Sequence, residues 1–489
     1  MQLNAALEPS GAFCRPLASR RITLENTPPT ISDTMFAQIR DKNLFEQAKS
    51  YACSYMDNIP FRPVFPAPET LEKLAAFDEA LPQQPQPAAD ALRMLAEYGS
   101  PATVAQTGGR YFGFVNGNVI PVALAARWFS DAWNQNAALH VMSPTVAKLE
   151  QVCERWLREL LGLPPETVAG FVSGTSIATI CGLAAGRHAL LKNLGWDVNE
   201  DGLFGAPPIR VIVSEQAHST VFKALSILGL GRKRVELIPA DAAGRISVAH
   251  LPELDASCLV ILQAGNVNSG SFDDFEHICS VAQYTGAWVH IDGAFGLWAA
   301  ASPNKKRLTQ GIEKANSWSA DGHKTLNTSY DCGIIFCKDQ DALLASMQTT
   351  GAYIQYGENR DGMLYTPEMS RRARAVELWA ALRFLGGSGA AELVDGLCER
   401  AAQFAAELAG NGFRVLNEVV FNQVLVACDT PAETKAVLAG VQASGECWCG
   451  MTIWQGQPAI RVSVCSWSTT PDDVQRSVQA FIEARDLAA

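Results

Sequence analysis

Lys324 is the residue of this sequence with the clearest potential for chemistry, because it directly follows His323 and stands shortly before an apolar run. The stretch reads WSADGHKTLNTSYDCG, and the CGIIFC that completes it predicts a buried strand. A lysine amine can act as a covalent catalyst toward a carbonyl group. A surface lysine on a connecting loop is the simpler interpretation, so the rest of the chain must decide between the two.

Three more stretches carry polar groups where α/β proteins bind ligands. In GFVSGTSIATICGLAAGRHAL, the residues Gly174, Thr175 and Ser176 open a predicted helix whose first amides can hold an anion, although such residues are also common as simple caps. In SEQAHSTVFKAL, His218 lies between a strand and a helix, where it either faces a site or caps the helix. In AWVHIDGAFG, Asp292 ends an apolar strand, where an ionised carboxylate needs a cationic partner.

Pyridoxal phosphate is the cofactor that needs these groups together. Its phosphate requires a helix start, its ring nitrogen a carboxylate, its ring a flat group to stack on, and its aldehyde a lysine amine. The turn at Gly174 matches neither the glycine pattern of dinucleotide-binding proteins nor that of nucleoside-triphosphate-binding proteins. The sequence therefore predicts a pyridoxal-phosphate enzyme in which Asp292 keeps the ring nitrogen protonated, His218 stacks on the ring and Lys324 binds the aldehyde.

Alternating strands and helices must position these residues. Strands are predicted at 210–215, 234–240, 258–265, 287–292 and 332–337. Residues 101–345 are thus expected to form a large α/β domain with a mostly parallel sheet, and residues 346–489 a smaller α+β domain with helices opened by Thr430 and Thr470, each followed by proline. The proline-rich end of residues 1–100 predicts an N-terminal arm at a dimer interface, with a flexible linker as the alternative.

Composition limits the classes of function. Of the 489 residues 48% are hydrophobic, and the net charge of -11 comes without any basic stripe, so no nucleic-acid partner is predicted. No apolar stretch approaches the roughly 18 to 20 residues that span a bilayer, and the start of the chain lacks a secretory signal pattern, which predicts a cytoplasmic protein without a membrane partner. The scattered cysteines predict free thiols, and the pair Cys447 and Cys449 predicts strand residues rather than a zinc or redox site.

Several segments, in matching chain order, resemble the group II amino-acid decarboxylases, fold-type I enzymes of the aspartate aminotransferase superfamily. SEQAH is similar to the family's S-D-Q-A-H, HIDGAFG to H-V-D-A-A, and HK to N-P-H-K. YFGFVNGN, SPTVAKLE and SRRARAVELWAALRFLG are similar to its pocket loop, its S-P-x-x-T-E-L-E helix and its Arg-rich helix. The resemblance implies a homodimer with active sites at the interface. It also implies decarboxylation of an L-amino acid to an amine and carbon dioxide through a quinonoid intermediate.

Two segments depart from that family. ADGHK places Asp321 where many members have an asparagine near the phosphate, and a similar acidic variant occurs in sphingosine-phosphate lyase. AGNVNSGSFDD places Asn266 and Asn268 near where members have threonines that contact the cofactor. Transamination, carbon-carbon cleavage and aldehyde-forming oxidative decarboxylation therefore stay open, as does a regulatory or scaffold subunit without activity.

The resemblance also suggests further site residues. Ser317, Asn268, Asp321 and His323 join the predicted cofactor contacts. Arg461, in AIRVSVCSW, either meets a substrate carboxylate or forms a structural salt bridge.

Aromatic residues complete the predicted site. A loop tyrosine is expected to return a proton to the substrate, and the candidates are Tyr353, Tyr356 and Tyr365, with a plain packed loop as the alternative. The expected pocket residues are Phe112, Phe114 and Asn116, which favour an apolar or aromatic substrate over glutamate.

Overall fold

The computed structural model describes residues 29–348 and 359–488, and its central feature is a seven-stranded sheet. The strands are β1 (Val168–Val172), β2 (Arg210–Ser214), β3 (Val235–Ile238), β4 (Cys258–Gln263), β5 (Trp288–Asp292), β6 (Ser317–Asp321) and β7 (Gly333–Cys337). They lie in the order β1-β7-β6-β5-β4-β2-β3. β7 is antiparallel to both neighbours and the other pairs are parallel, which confirms the predicted α/β fold with a mostly parallel sheet.

A second, antiparallel sheet follows toward the C-terminus. Its strands are β8 (Arg414–Val415), β9 (Gln423–Ala427), β10 (Gly450–Trp454) and β11 (Gln457–Ser463), in the order β10-β11-β9-β8. An apolar core of its own lies between this sheet and the neighbouring helices. The domain boundaries near residues 100 and 345 stay a prediction.

The α-helices surround the two sheets. In the described residues they are α1 (Ile31–Asp41), α2 (Asn43–Asn58), α3 (Pro68–Glu72), α4 (Ala88–Met94), α5 (Ser100–Ala102), α6 (Pro121–Trp133), α7 (Pro144–Leu161), α8 (Thr175–Asn193), α9 (Val198–Asp201), α10 (Ser219–Ile227), α11 (Phe275–Thr285), α12 (Gln340–Met347), α13 (Ala375–Gly410), α14 (Pro431–Ser444) and α15 (Pro471–Ala488). α13 is interrupted at Gly386, whose φ of 58° leaves the helical region. No helix of the described ranges is long and apolar enough to cross a membrane.

The large sheet is buried on both faces, and β4 shows why its sequence is continuously apolar. Leu259 and Ile261 pack with the helices of one face, among them α8 and α10, whereas Val260 and Leu262 pack with α7 and α11 on the other. Successive side chains of a strand point to opposite faces, so a sheet covered on both sides needs apolar residues at every position.

Two helix starts follow their predicted caps. The Thr430 side chain accepts the amide hydrogen of Glu433 at the start of α14. Thr470 accepts the amide hydrogen of Asp473 at 3.1 Å, and Asp473 accepts that of Thr470 at 3.0 Å, so that both donors are satisfied at the start of α15. The predicted positions of both helix starts are confirmed.

The sequence analysis missed β1 and β6 as strands. Residues 318–321 read WSAD, which lacks a run of apolar residues, but they lie in β6 and are buried. The Ser319 hydroxyl lies 3.3 Å from that of Thr179 on α8, so the small side chains of this strand fit beneath a closely packed helix. Small polar residues do not carry the apolar signal by which strands are predicted.

Two further expectations need correction. The helix SRRARAVELWAALRFLG was predicted from Ser370, but α13 begins at Ala375, and the preceding arginines lie outside it in ion pairs with Glu150 and Asp331. Cys447 and Cys449 are buried and unpaired as predicted, but they lie just before β10 rather than within it. All cysteines of the described residues are free thiols.

Candidate active site

The candidate active site is a cleft of about 450 Å3 at the carboxyl edge of the large sheet. β2, β4, β5 and β6 run parallel and end at this edge, and the turn after β1 reaches it as well. The loops beyond these strand ends carry His218, Asp292, Lys324 and the start of α8 into one cleft. This is where open α/β sheets bind ligands.

Lys324 reaches the cleft from the turn after β6. Its Nζ lies 3.2 Å from Oδ2 of Asp321, the last residue of that strand. The lysine side chain is 22% exposed and the aspartate 4%. A partly buried amine beside a cleft is accessible to a ligand carbonyl, whereas a loop lysine in open solvent would have no such surroundings.

Asp292 ends β5 and is buried in the cleft wall. Its Oδ1 accepts the amide hydrogen of Ala294 at 3.2 Å, and within the described residues it has no ion pair. Burial raises the pKa of Asp292, while the positive charges of His218 and Lys324 oppose this shift. A buried carboxylate of this kind gains stability when a ligand brings a cation next to it.

His218 is both a helix cap and a wall of the cleft, so the two interpretations of the sequence hold together. Its Nδ1 lies 2.7 Å from the Thr220 hydroxyl and accepts the Thr220 amide hydrogen at 3.4 Å at the start of α10. Burial lowers the pKa of His218, although the charge of Asp292 opposes the shift. These contacts hold a flat, half-buried imidazole at the edge of the cleft.

The start of α8 provides donors for an anion. The Thr175 amide donates to Oδ1 of Asp321 at 2.7 Å, and the Thr175 hydroxyl is buried without a partner among the described residues. Gly333 at the start of β7 permits this turn, because a Cβ there would lie 2.3 Å from the Gly174 Cα. An unpartnered hydroxyl at a helix N-terminus fits a phosphate group, so this part of the cleft fits pyridoxal phosphate.

Arg461 on β11 brings a guanidinium group into the cleft. Its Nη1 donates to the Val267 carbonyl at 3.2 Å, and no carboxylate of the described ranges lies within ion-pair distance. Burial lowers the pKa of Arg461. The alternative of a structural salt bridge is therefore not found in the part of the chain that the structure describes.

His323 and Tyr330 form an aromatic pair at the cleft. Nδ1 of His323 accepts the Cys332 amide hydrogen at 3.0 Å, and its ring centre lies 4.2 Å from that of Tyr330. The Tyr330 hydroxyl donates to Oδ1 of Asn116 at 3.0 Å, which links Asn116 to the cleft without making it a lining residue. Tyr330 was missed, and its position within six residues of Lys324 was the available signal.

Gln263 is a second residue that the sequence analysis missed. It ends β4 directly opposite Asp292 in the parallel register and is 7% exposed. Its amide nitrogen Nε2 has no partner among the described residues. A polar residue at the end of the apolar run CLVILQ was the signal, since a buried amide normally finds a hydrogen-bond partner.

Three residues singled out in the sequence lie elsewhere. Ser317 is at the opposite end of β6, where its hydroxyl accepts from Trp288 Nε1 at 3.1 Å. Asn268 accepts from the Thr452 hydroxyl at 2.8 Å, and Asn266 accepts from the amides of its own loop. Neither asparagine lines the cleft.

The aromatic candidates divide between the cleft and other parts of the chain. Phe114 lines the cleft and stacks on Trp448 with ring centres 5.4 Å apart, but Phe112 points into the core of the smaller sheet. The Tyr365 ring packs against the Arg360 guanidinium at 4.1 Å, away from the cleft lining. Tyr353 and Tyr356 lie outside the described residues. Phe112 as a pocket residue is wrong: its ring packs against Phe404 in that core, and the chain turns at Phe114, whose φ is 53°, so that the two rings point apart.

The fold and the cleft together define a fold-type I pyridoxal-phosphate enzyme. Residues 68–427 match the model of the pyridoxal-dependent decarboxylase conserved domain. The chain therefore belongs to the pyridoxal-dependent decarboxylase family and is a pyridoxal-phosphate-dependent carboxy-lyase. The predicted family, cofactor and enzyme class are confirmed.

Individual relatives are distant but cover most of the chain. It is 22% identical to tyrosine decarboxylase 2 of Narcissus pseudonarcissus over 433 residues, which are 82% of this chain and 85% of the relative. It is 26% identical to an acidic amino acid decarboxylase of Mus musculus over 64% of this chain and 59% of the relative. The crystal structure of Oryza sativa TDC with PLP and tryptamine has a TM-score of 0.84 at 22% identity, covering 95% and 99% of the two chains.

Proposed function

We propose that the protein decarboxylates an L-amino acid in this cleft and releases carbon dioxide and the corresponding amine. The observation that carries the proposal is the convergence of Lys324, Asp292 and His218 on one cleft with the first turn of α8. The family supports amino-acid decarboxylation in general. The particular substrate and the roles of the residues go beyond that support.

Different residues of the cleft would bind different parts of the cofactor. When bound, pyridoxal phosphate supplies an electron sink for the electron pair that the broken bond at Cα leaves behind. Gly174 and Thr175 would bind its phosphate with the amides and the free hydroxyl at the start of α8. Asp292 would keep a proton on the ring nitrogen, which gives this buried carboxylate its cationic partner. His218 would cover one face of the ring.

Lys324 would bind the aldehyde until a substrate amine replaces it. In the structure its Nζ lies 3.2 Å from Asp321, which holds the free amine in the cleft between these two states. The free Nζ would also be a group of this chain that could hold or move a proton at Cα of the substrate. Tyr353 and Tyr356 remain candidates for this proton transfer as well.

Arg461 and Phe114 would bind the substrate. The guanidinium has no carboxylate partner among the described residues, and a substrate carboxylate would supply one. Phe114 lies at the mouth of the cleft against Trp448 and would contact an apolar or aromatic side chain. The apolar preference now depends on Phe114, because Phe112 is turned away.

We also propose a homodimer with active sites at its interface. Neither α1 nor α2 has a buried residue in the single chain, and Met35, Phe36 and Ile39 of α1 are all more than half exposed. Such an apolar helix face is typical of an interface. The N-terminal arm would then cover the partner chain, in a protein expected in the cytoplasm.

The test of the function is carbon dioxide release by the cofactor-loaded protein with each common L-amino acid, together with the mass of the organic product. We expect release with a matching amine, and both the release and the cofactor's imine-type absorbance to disappear in Lys324→Ala. A keto acid would indicate transamination. An aldehyde with ammonia and peroxide would indicate the oxidative route. Fragments of a longer substrate would indicate carbon-carbon cleavage. Full activity of Lys324→Ala would contradict the role of the lysine.

A further inference from the structure

Asp321 lies at the first turn of α8, where we place the cofactor's phosphate. Its Oδ1 accepts the Thr175 amide hydrogen at 2.7 Å, and its side chain is 4% exposed. The Thr175 hydroxyl is buried nearby without a partner among the described residues. A carboxylate therefore already uses one donor of a turn that also offers free donors to an anion.

The charges around Asp321 come from several elements. Lys324 Nζ lies 3.2 Å and His323 Nε2 3.6 Å from its Oδ2. The negative charge of Asp321 also acts to raise the pKa of four other groups. These are Asp292 on β5, His218 at the start of α10, Tyr330 and Cys465. Lys324 is the cation in contact with Asp321, and its single positive charge cannot neutralise both this carboxylate and a phosphate dianion.

His323 is poorly placed to take up a proton. Its Nδ1 accepts the Cys332 amide hydrogen at 3.0 Å, so the hydrogen of the neutral ring is on Nε2, toward Asp321. A second proton on Nδ1 would break the bond from Cys332. Burial also lowers the pKa of His323. Any proton that enters this corner of the cleft is therefore best placed on Asp321 or on an anion bound beside it.

We propose that one proton is taken up when a phosphate group binds at the start of α8, and that it is held between the Asp321 carboxyl and the phosphate. A phosphate monoester has a second pKa of about 6, so above neutral pH it arrives as a dianion. Beside an ionised Asp321 it would place two anions on one set of amides. A shared proton replaces this repulsion with a short charge-assisted O–H···O bond.

A cofactor affinity that depends on pH follows from this arrangement. Because binding takes up one proton, the affinity for the cofactor falls about tenfold for each unit by which the pH rises. The inference rests on the proposed position of the phosphate. With asparagine at this position, as in many members of the family, the amide would donate to the dianion directly and binding would need no proton.

The test is calorimetric titration of the cofactor-free full-length protein with pyridoxine 5′-phosphate, which lacks the aldehyde and leaves Lys324 unreacted. Titrations at pH 7.5 in buffers of different ionisation enthalpy give the number of protons taken up. We expect about one proton for the wild-type protein and about none for Asp321→Asn. Pyridoxine without phosphate is the ligand control and should cause no uptake at this site.

Two further variants separate proton uptake from damage to the site. Thr175→Val should weaken binding but keep the proton uptake for each ligand bound, and His323→Gln should keep the uptake as well. Uptake below about 0.2 protons in the wild-type protein, or equal uptake in Asp321→Asn, overturns the inference. If pyridoxal phosphate binds with its imine-type absorbance but without proton uptake, only this inference fails. If neither ligand binds, the proposed function fails with it.

Discussion

The charges of the cleft, which are buried or partly buried, are unevenly paired, and this imbalance indicates where ligands bind. Lys324 and Asp321 are partners at 3.2 Å, whereas Asp292 and Arg461 have no ion-pair partner in the described residues. A buried charge without a partner is costly, so it is retained where a ligand compensates it. Asp292 matches the cationic ring nitrogen of the cofactor, which leaves Arg461 for the substrate.

Replacing Arg461 by methionine should therefore weaken substrate binding. A hydrogen bond to a charged group contributes about 1.5 to 3 kcal/mol, so KM for an accepted amino acid should rise about 10- to 150-fold with a smaller change in kcat. The measurement is steady-state kinetics of Arg461→Met. Arg210→Met is the control, because Arg210 pairs with Glu236 at the amino end of β2, outside the cleft. An unchanged KM for every accepted substrate would rule out the proposed role.

The site residues that the sequence could predict share one property. Asp292 ends one recognisable strand, His218 follows another, Lys324 precedes a third, and their side chains suit one cofactor. Gln263 and Tyr330 depend on facts that chain order does not contain. Placing Gln263 in the cleft requires the register of β4 against β5. Placing Tyr330 there requires the path of the loop after Lys324.

At the scale of elements, a buried ion-pair cluster joins α7 to the sheet. Glu150 of α7 is fully buried, with Oε1 2.7 Å from Arg371 Nη1 and Oε2 3.2 Å from Arg360 Nε. Arg371 also donates to the carbonyl of Phe171 on β1 at 3.2 Å. The cluster fixes β1, whose next turn opens α8 and its anion site. Sequence analysis identified the two segments that supply Glu150 and Arg371, but not their contact.

Arg371→Met should destabilise the protein, because it leaves Glu150 buried with one partner fewer. Breaking a buried pair typically costs about 3 to 5 kcal/mol of unfolding free energy. Urea denaturation of the full chain measures this difference. Arg155→Met is the matched control on the exposed side of α7 and should stay within about 0.5 kcal/mol of the wild-type protein. A loss as small as the control's would mean that Arg360 alone neutralises Glu150.

Asp273 makes the end of β4 sensitive to pH. Its carboxylate accepts the amide hydrogens of Gln263 at 2.7 Å and Ile246 at 2.8 Å, and burial raises its pKa to about 6. Because the folded state binds this proton more tightly than the unfolded chain, the stabilisation is complete below the unfolded pKa and is lost as pH rises toward 6. The unfolding free energy of the wild-type protein relative to Asp273→Asn should fall by about 2 kcal/mol between pH 4 and pH 7.

This pH dependence is measured by urea denaturation of both proteins at several pH values. Asp274→Asn is the neighbouring control, since Asp274 is exposed and asparagine caps α11 equally well. Its pH profile should match the wild-type profile within about 0.5 kcal/mol. A constant difference between the wild-type protein and Asp273→Asn across this range would show that Asp273 is already ionised at pH 4.

At the scale of the whole molecule, matched segments in chain order predicted the family and the α/β class. Five of the seven strands of the large sheet are apolar enough to be recognised individually, and their order with the helices between them predicts a parallel sheet. The faces that a single chain leaves uncovered were harder to predict. The proline-rich segment suggested an arm, but the apolar face of α1 became clear only when its surroundings were known.

The homodimer can be tested on that face of α1. Ile39 is 54% exposed in the single chain, and burying such a side chain contributes about 1.5 to 3 kcal/mol. Ile39→Glu removes this contribution and buries a charge, so the dimer dissociation constant should rise at least about tenfold. Ala37→Glu adds the same charge to the opposite face of α1, where it should leave association unchanged.

Sedimentation velocity over a range of protein concentrations distinguishes the two variants. If each active site needs residues of both chains, the specific activity of Ile39→Glu should fall on dilution in parallel with dissociation of the dimer. Pyridoxal phosphate should reduce both the loss of activity and the dissociation, because it binds the assembled site. A wild-type protein that sediments as a monomer, or equal dissociation of both variants, would remove α1 from the interface. Full activity of a dissociated Ile39→Glu would instead show that one chain completes the cleft by itself.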